Sequence, residues 1–123
     1  MPYFPLERPA RAARVSFVEN TPAVIRSHDG CRKAKLQTVS LTGGLLYLPK
    51  PVDRGSHVKL MFLTRNGSVL GAAEMLSPIS WSLQPFKFLK LYDDDQRRLE
   101  KTIQSTLKQS WRDRMQMEHY RAW

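Results

Sequence analysis

A mainly β fold, an antiparallel barrel or sandwich of six or seven short strands followed by one long helix, is predicted for this 123-residue chain by three features of its sequence. Apolar and polar residues alternate in short runs between residues 15 and 91, turn-forming residues recur between those runs, and from residue 94 the apolar period lengthens to four. The length suits one hydrophobic core and is too short for two.

Residues 1–13 contain Pro2, Pro5 and Pro9, which lack an amide donor and restrict the residue before them, so this segment reads as an extended arm. From Arg14 the alternation begins. Val15 and Phe17 share one side, and Ala23-Val24-Ile25 resumes after Asn20 to Pro22, predicting two short strands joined by a turn. Ser27-His28-Asp29-Gly30 is a turn, and Ala34 to Leu41 a strand that Gly43-Gly44 interrupts. Leu45 to Leu48 continues it until Pro49 and Pro51 stop it. Val58, Leu60 and Phe62 alternate with Lys59 and Met61. Asn66-Gly67 supplies the positive φ angles of a two-residue type I′ turn, predicting a hairpin with Ser68 to Leu76 as its return. Ser77 to Gln84, with Pro78 and Trp81, reads as a loop, and Phe86 to Leu91 as a strand whose alternation changes phase at Phe88-Leu89, where a bulge is expected.

Asp93-Asp94-Asp95 opens a different regime, with carboxylates placed to complement the unpaired amides and dipole of a helix N-terminus. Leu99, Ile103, Leu107, Trp111 and Met115 then recur every four residues, predicting one amphipathic helix over residues 94–118. Such a helix of about 25 residues measures roughly 37 Å, longer than a small barrel is wide. Its far end, with Trp111, Met115, Met117, Tyr120 and Trp123, is therefore expected to project and to serve a protein partner or self-association. The organisation predicted is an arm at 1–13, a β-barrel domain at 14–92 and a C-terminal helix at 93–123, within one domain overall.

Twenty basic against eleven acidic side chains give a formal charge of +9, with both ends basic and the middle nearly balanced. That distribution favours an anionic partner: a nucleotide, a nucleic acid, an acidic protein surface or a negatively charged membrane. The single cysteine, Cys31, excludes an internal disulfide, and the sequence shows neither a signal peptide's apolar region nor a membrane span, so a cytoplasmic protein is expected. His28, His57 and His119 lack ligand spacing, and the motifs of zinc proteases, phosphate-binding loops and serine hydrolases are absent, so neither catalytic nor metal-ligating residues are predicted. Nucleic acid is not the expected partner either, because aromatic and basic residues do not alternate in an RNA-reading pattern apart from Phe86-Lys87-Phe88.

Two stretches carry suggestive chemistry. Arg8, Arg11 and Arg14 stand at three-residue intervals in the arm. A guanidinium can fork onto a phosphate or the O6/N7 edge of guanine and can stack on a base. In Thr38-Val39-Ser40-Leu41-Thr42-Gly43-Gly44, an extended strand would turn three hydroxyls to one face and end in two residues whose backbone a ligand can approach.

The order of these elements resembles the PilZ domain, the cyclic di-GMP receptor module of bacteria. The likeness runs from the arginine arm with Arg14-Val15, through T-V-S-L-T-G-G in the place of the family's D/N-x-S-x-x-G, to Phe86-Lys87-Phe88-Leu89-Lys90-Leu91 leading into D-D-D-Q-R-R-L-E. It implies a six-stranded antiparallel β-barrel with a C-terminal helix, the arm wrapping over one barrel mouth. The implied ligand is cyclic di-GMP, with Arg8, Arg11, Arg14, Thr38, Ser40, Gly43 and Gly44 as its contacts and no cofactor. Thr38 stands where the family has Asp or Asn, and the spacing of three departs from the family's R-x-x-x-R; with Arg14 in the second place, the first falls on Ala10. The alternative the resemblance implies is an adaptor of the same fold that has lost the nucleotide and acts through protein contacts, for example in motility or pilus biogenesis.

Overall fold

In the computed structural model, residues 14–121 are described, with side chains for 14–16 and 21–109. Six strands precede one helix: β1 (Val15–Ser27), β2 (Gly30–Val39), β3 (Gly43–Tyr47), β4 (His57–Thr64), β5 (Gly67–Met75), β6 (Leu83–Leu91) and α1 (Asp93–Arg121). All pairings are antiparallel, and the sheet closes on itself in the order β1-β2-β3-β6-β5-β4. Closure gives every strand a neighbour on both sides, and alternate residues of each strand face a common interior.

Large and small side chains complement one another across that interior. Phe62 lies opposite Val69, Leu60 opposite Gly71 and Val58 opposite Ala73 on the β4–β5 pair, whose inward positions are all buried. The missing side chain of Gly71 is filled by Leu91 and Phe88 of the neighbouring β6. Ile25, Leu36, Val39, Leu46 and Met75 complete the core, joined by Leu99 and Ile103 of α1.

Several local expectations are revised. Asn20 to Pro22 is no turn: β1 runs through it as one strand of 13 residues. The register jumps from Ser16↔Thr38 to Thr21↔Leu36, so four residues of β1 bypass the single Gln37 of β2, and an irregularity in the ladder does the bending assigned to a turn. Gly43-Gly44 opens β3 and does not interrupt a longer strand, because the chain reverses at Leu41-Thr42. The Asn66-Gly67 hairpin forms one residue earlier than expected. Thr64 pairs with Gly67, leaving Arg65-Asn66 as the loop. The Thr64 hydroxyl accepts the Asn66 N–H at 3.1 Å and donates to the Gly67 carbonyl at 2.6 Å, while Gly67 takes a φ of 116°. The Asn66 side chain is thereby free to donate to Thr102 of α1 at 3.0 Å. The expected bulge is present, Leu89 being the unpaired residue between Phe88↔Ala73 and Lys90↔Ala72.

The acidic triplet does more than cap α1. Asp94 pairs with Arg97 on the surface, but Asp95 is buried, and its Oδ1 accepts the backbone N–H of Leu70 in β5 at 2.9 Å and Arg98 Nη2 at 3.1 Å. Arg98 reaches on to the Ser68 carbonyl at 2.8 Å, so the first turns are fastened to β5 by polar contacts and, beyond them, by Leu99 and Ile103. Asp95→Ala removes both bonds and strands a β5 amide; a loss of about 2 kcal/mol is expected in urea unfolding, with Asp95→Asn, which keeps an acceptor, recovering at least half of it. An Asn variant no better than Ala would mean that the anchor is purely electrostatic. Farther along, Leu107 is half exposed. Trp111, Met115, Met117, Tyr120 and Trp123, the residues expected to form the projecting apolar end, lie outside the described side chains.

Candidate functional site

Three elements meet at one end of the barrel: the start of β1, the β2–β3 hairpin and the middle of β6. Antiparallel pairing of Val15 with Val39 and Ser16 with Thr38 roots the arm beside the residue that follows Val39, which is Ser40. Arg14, the last residue before β1, is exposed there and makes no ion pair among the described residues. Arg8 and Arg11 lie outside the described residues.

The hairpin is built around Ser40. Its N–H donates to the Gly43 carbonyl at 2.7 Å, closing the reversal at Leu41-Thr42. Its hydroxyl, in a residue only 1% exposed, donates to the same carbonyl at 3.2 Å, accepts the Thr42 N–H at 3.2 Å and lies 3.1 Å from the Thr42 hydroxyl. One donor and two acceptor positions are all that a hydroxyl has, so those of Ser40 are spent inside the turn. The row of three hydroxyls on one face therefore does not form: Ser40 turns inward and meets Thr42. Thr38, half buried after the Gln37 irregularity, pairs with Ser16 and Leu45.

Gly43 and Gly44 are glycines for a steric reason. They pair with Lys87 and Phe86 of β6. A Cβ on Gly43 would run into the Phe86 carbonyl oxygen and come within 2.9 Å of Lys87 Cα, and one on Gly44 would run into the Thr38 carbonyl oxygen. Neither has the positive φ found at Gly30, Gly55 and Gly67. The close approach that sequence reasoning assigned to a ligand is made by the neighbouring strands.

Two further residues belong to this corner, Lys87, which sequence reasoning missed, and Thr42, which it placed in the row of hydroxyls. Lys87, brought opposite Gly43 by register, adds a cation that bridges to Glu74 at 3.6 Å. Thr42, exposed beside Ser40, donates its N–H to the Ser40 hydroxyl and accepts the Phe88 N–H on its carbonyl at 2.8 Å. The phase of F-K-F-L-K puts Lys87 outward, but its partner strand is not written in the sequence. Among the described residues there is no cluster fit to hold a metal ion, and no helix is long and apolar enough to cross a membrane.

A closed six-stranded antiparallel barrel, with a terminal helix fastened to β5 and the start of β1 beside a Ser-x-x-Gly-Gly hairpin, defines a distinct kind of small β-barrel domain. Its fold is that of the PilZ domain. No family profile and no curated protein matches the sequence. Among solved structures, the PilZ domain of Escherichia coli YcgR with c-di-GMP is similar with a TM-score of 0.71 at 18% identity, over 86% of this chain and 97% of that one. The inhibitor of motility MotI/DgrA of Bacillus subtilis is similar with a TM-score of 0.67 at 13% identity, over 87% of this chain and 54% of that one. MrkH of K. pneumonia in its apo state is similar with a TM-score of 0.68 at 18% identity, over 86% and 55%. The chain thus spans about half the length of the last two, and identities this low establish the fold.

Proposed function

We propose that this chain is a cyclic di-GMP receptor, the nucleotide being held between the arginine arm and the β2–β3 corner. The observation that supports the reading is the Val15↔Val39 register, which sets the start of β1, with Arg14 before it, next to the β2–β3 hairpin of Ser40 and Gly43-Gly44. Arg14 is in place to begin a basic clamp that Arg8 and Arg11 continue, guanidinium groups taking the phosphates and guanine edges. Thr38 presents the outer edge of β2 to the ligand, whereas Ser40, Gly43 and Gly44 fix the shape of the corner. The similarity to the YcgR domain solved with c-di-GMP supports this choice of ligand.

Calorimetric titration of the full chain with cyclic di-GMP tests the reading. Saturable binding is expected, and Arg14→Ala weakens it at least tenfold, equivalent to about 1.4 kcal/mol. Absence of heat at tens of micromolar ligand overturns it, as does binding unchanged when Arg11→Ala and Arg14→Ala are combined.

The second reading, an adaptor acting through protein contacts, is favoured by Thr38, which lacks the carboxylate or amide of the family's motif, and by the spent hydroxyl of Ser40. On this reading α1 carries the interaction. Truncation after Lys108 then abolishes partner capture or self-association, while the nucleotide gives no heat with the full chain.

A further inference from the structure

A second cluster of positive charge lies where β1 ends, on the outer face of the barrel. Register places Arg26 of β1 directly opposite Lys59 of β4, Lys59 opposite Ala72 of β5, and Ala72 opposite Lys90 of β6. Strand spacing is about 4.8 Å, so three cations share a cross-strand row roughly 14 Å long with one methyl group between them. Like charges directly opposite each other on a sheet destabilise it. Nothing in the row offsets them. Arg26, Lys59 and His57 form no ion pair among the described residues; Glu74, opposite His57, bridges to Lys87 at 3.6 Å, and Asp29 lies 3.2 Å from His28. Lys90 leans away, its ammonium 4.9 Å from the centre of the Tyr92 ring.

Beside this row is an open cleft of about 490 Å³ lined by Arg26, Ser27, His28, His57, Val58, Lys59 and Ala72. It is an open depression of the surface. Val58 and Ala72 contribute apolar surface to it, and the donors at its edge are a guanidinium fork, an ammonium, the His57 imidazole and the Ser27 hydroxyl. Multiple acceptors and at least two negative charges are what such a set complements.

We propose that this cleft is an anion site for the phosphoryl group of a small molecule, separate from the arm-lined corner. Bound there, the anion lies between Arg26 and Lys59, removes their mutual repulsion and accepts from Ser27 and His57 at the rim.

Inorganic pyrophosphate is the probe, added to the full chain at low ionic strength where exposed charges are least screened. Saturable binding with a dissociation constant below about 1 mM is expected, accompanied by shifts of the His28 and His57 ring resonances. The double variant Arg26→Gln, Lys59→Gln, changed only at exposed positions, loses at least tenfold in affinity. Without ligand, Lys59→Gln melts above the wild type by about 2 °C because the repulsion is gone. Adenosine diphosphate binding like pyrophosphate identifies the phosphoryl moiety as the recognised group. The site is overturned by a non-saturating response, by equal stabilisation from sodium chloride at matched ionic strength, or by affinity that survives the double variant. Arg14→Ala leaves pyrophosphate binding unchanged, so this proposal and the cyclic di-GMP reading fail separately.

Discussion

Gly43→Ala is expected to cost the protein about 3 kcal/mol or more, at the upper end of what one added methyl does in a packed interior. The clash is with backbone, the carbonyl of Phe86 and the Cα of Lys87, so no side chain can swing aside. Relief requires β3 and β6 to move apart, at the pairing that closes this side of the barrel. Gly30→Ala is the comparison: its φ of 121° makes it unfavourable for any other residue, but nothing lies within 4 Å of the added atom. Strain of that local kind costs about 1–3 kcal/mol. Urea unfolding midpoints at constant m distinguish the two. A Gly43 variant no worse than the Gly30 variant would show that the strands accommodate the methyl and that the glycine is there for another reason.

This bears on how the corner is tested. The barrel demands Gly43 and Gly44 whether or not a nucleotide binds, and the turn demands Ser40 in the same way. A variant at any of the three that fails to bind cyclic di-GMP reports on the scaffold as much as on the ligand. Arg14 is the informative position, because it is exposed and outside the ladder.

How far the sequence disclosed these features depended on the range of the interactions involved. Alternation in Val58-Lys59-Leu60-Met61-Phe62 and the four-residue period through Leu99 and Ile103 are local, and both segments fold with the expected faces inward. The phase change at Phe88-Leu89 is equally local and marks a real bulge. The row of hydroxyls failed because Ser40 has a nearby alternative, bonding within its own turn, that periodicity does not register. The Asn66-Gly67 turn slipped by one residue because Thr64 could close it with its hydroxyl while Asn66 reached across to Thr102. The arm's root beside Ser40 and the Arg26–Lys59 opposition follow from strand register between segments distant in sequence, which no single segment records.

Gln84 is the clearest case of a residue that means nothing until the chain has folded. In the sequence it falls at the end of a loop; in the structure it opens the inward alternation of β6 and is 1% exposed. Its Nε2 donates to the carbonyls of Val52 at 2.7 Å and Leu76 at 2.9 Å, and its Oε1 accepts the Val52 N–H at 2.9 Å. One amide thus ties the β3–β4 connection to the β5–β6 connection, the loop that presents the exposed Ile79 and Trp81. Gln84→Leu, similar in volume, leaves three backbone groups without partners. At about 1 kcal/mol or more for each, the expected loss is about 3 kcal/mol. Gln84→Glu should do at least as badly: an ionised carboxylate keeps the acceptor for Val52 but turns its other oxygen toward the two carbonyls that had received a donor. Urea unfolding gives the size of the effect, and amide exchange gives its place, with protection at Val52 lost before that of β4 and β5. If Gln84→Leu stays within about 1 kcal/mol of the wild type, the connections are held by their apolar contacts and the amide bonds add little to what water would supply.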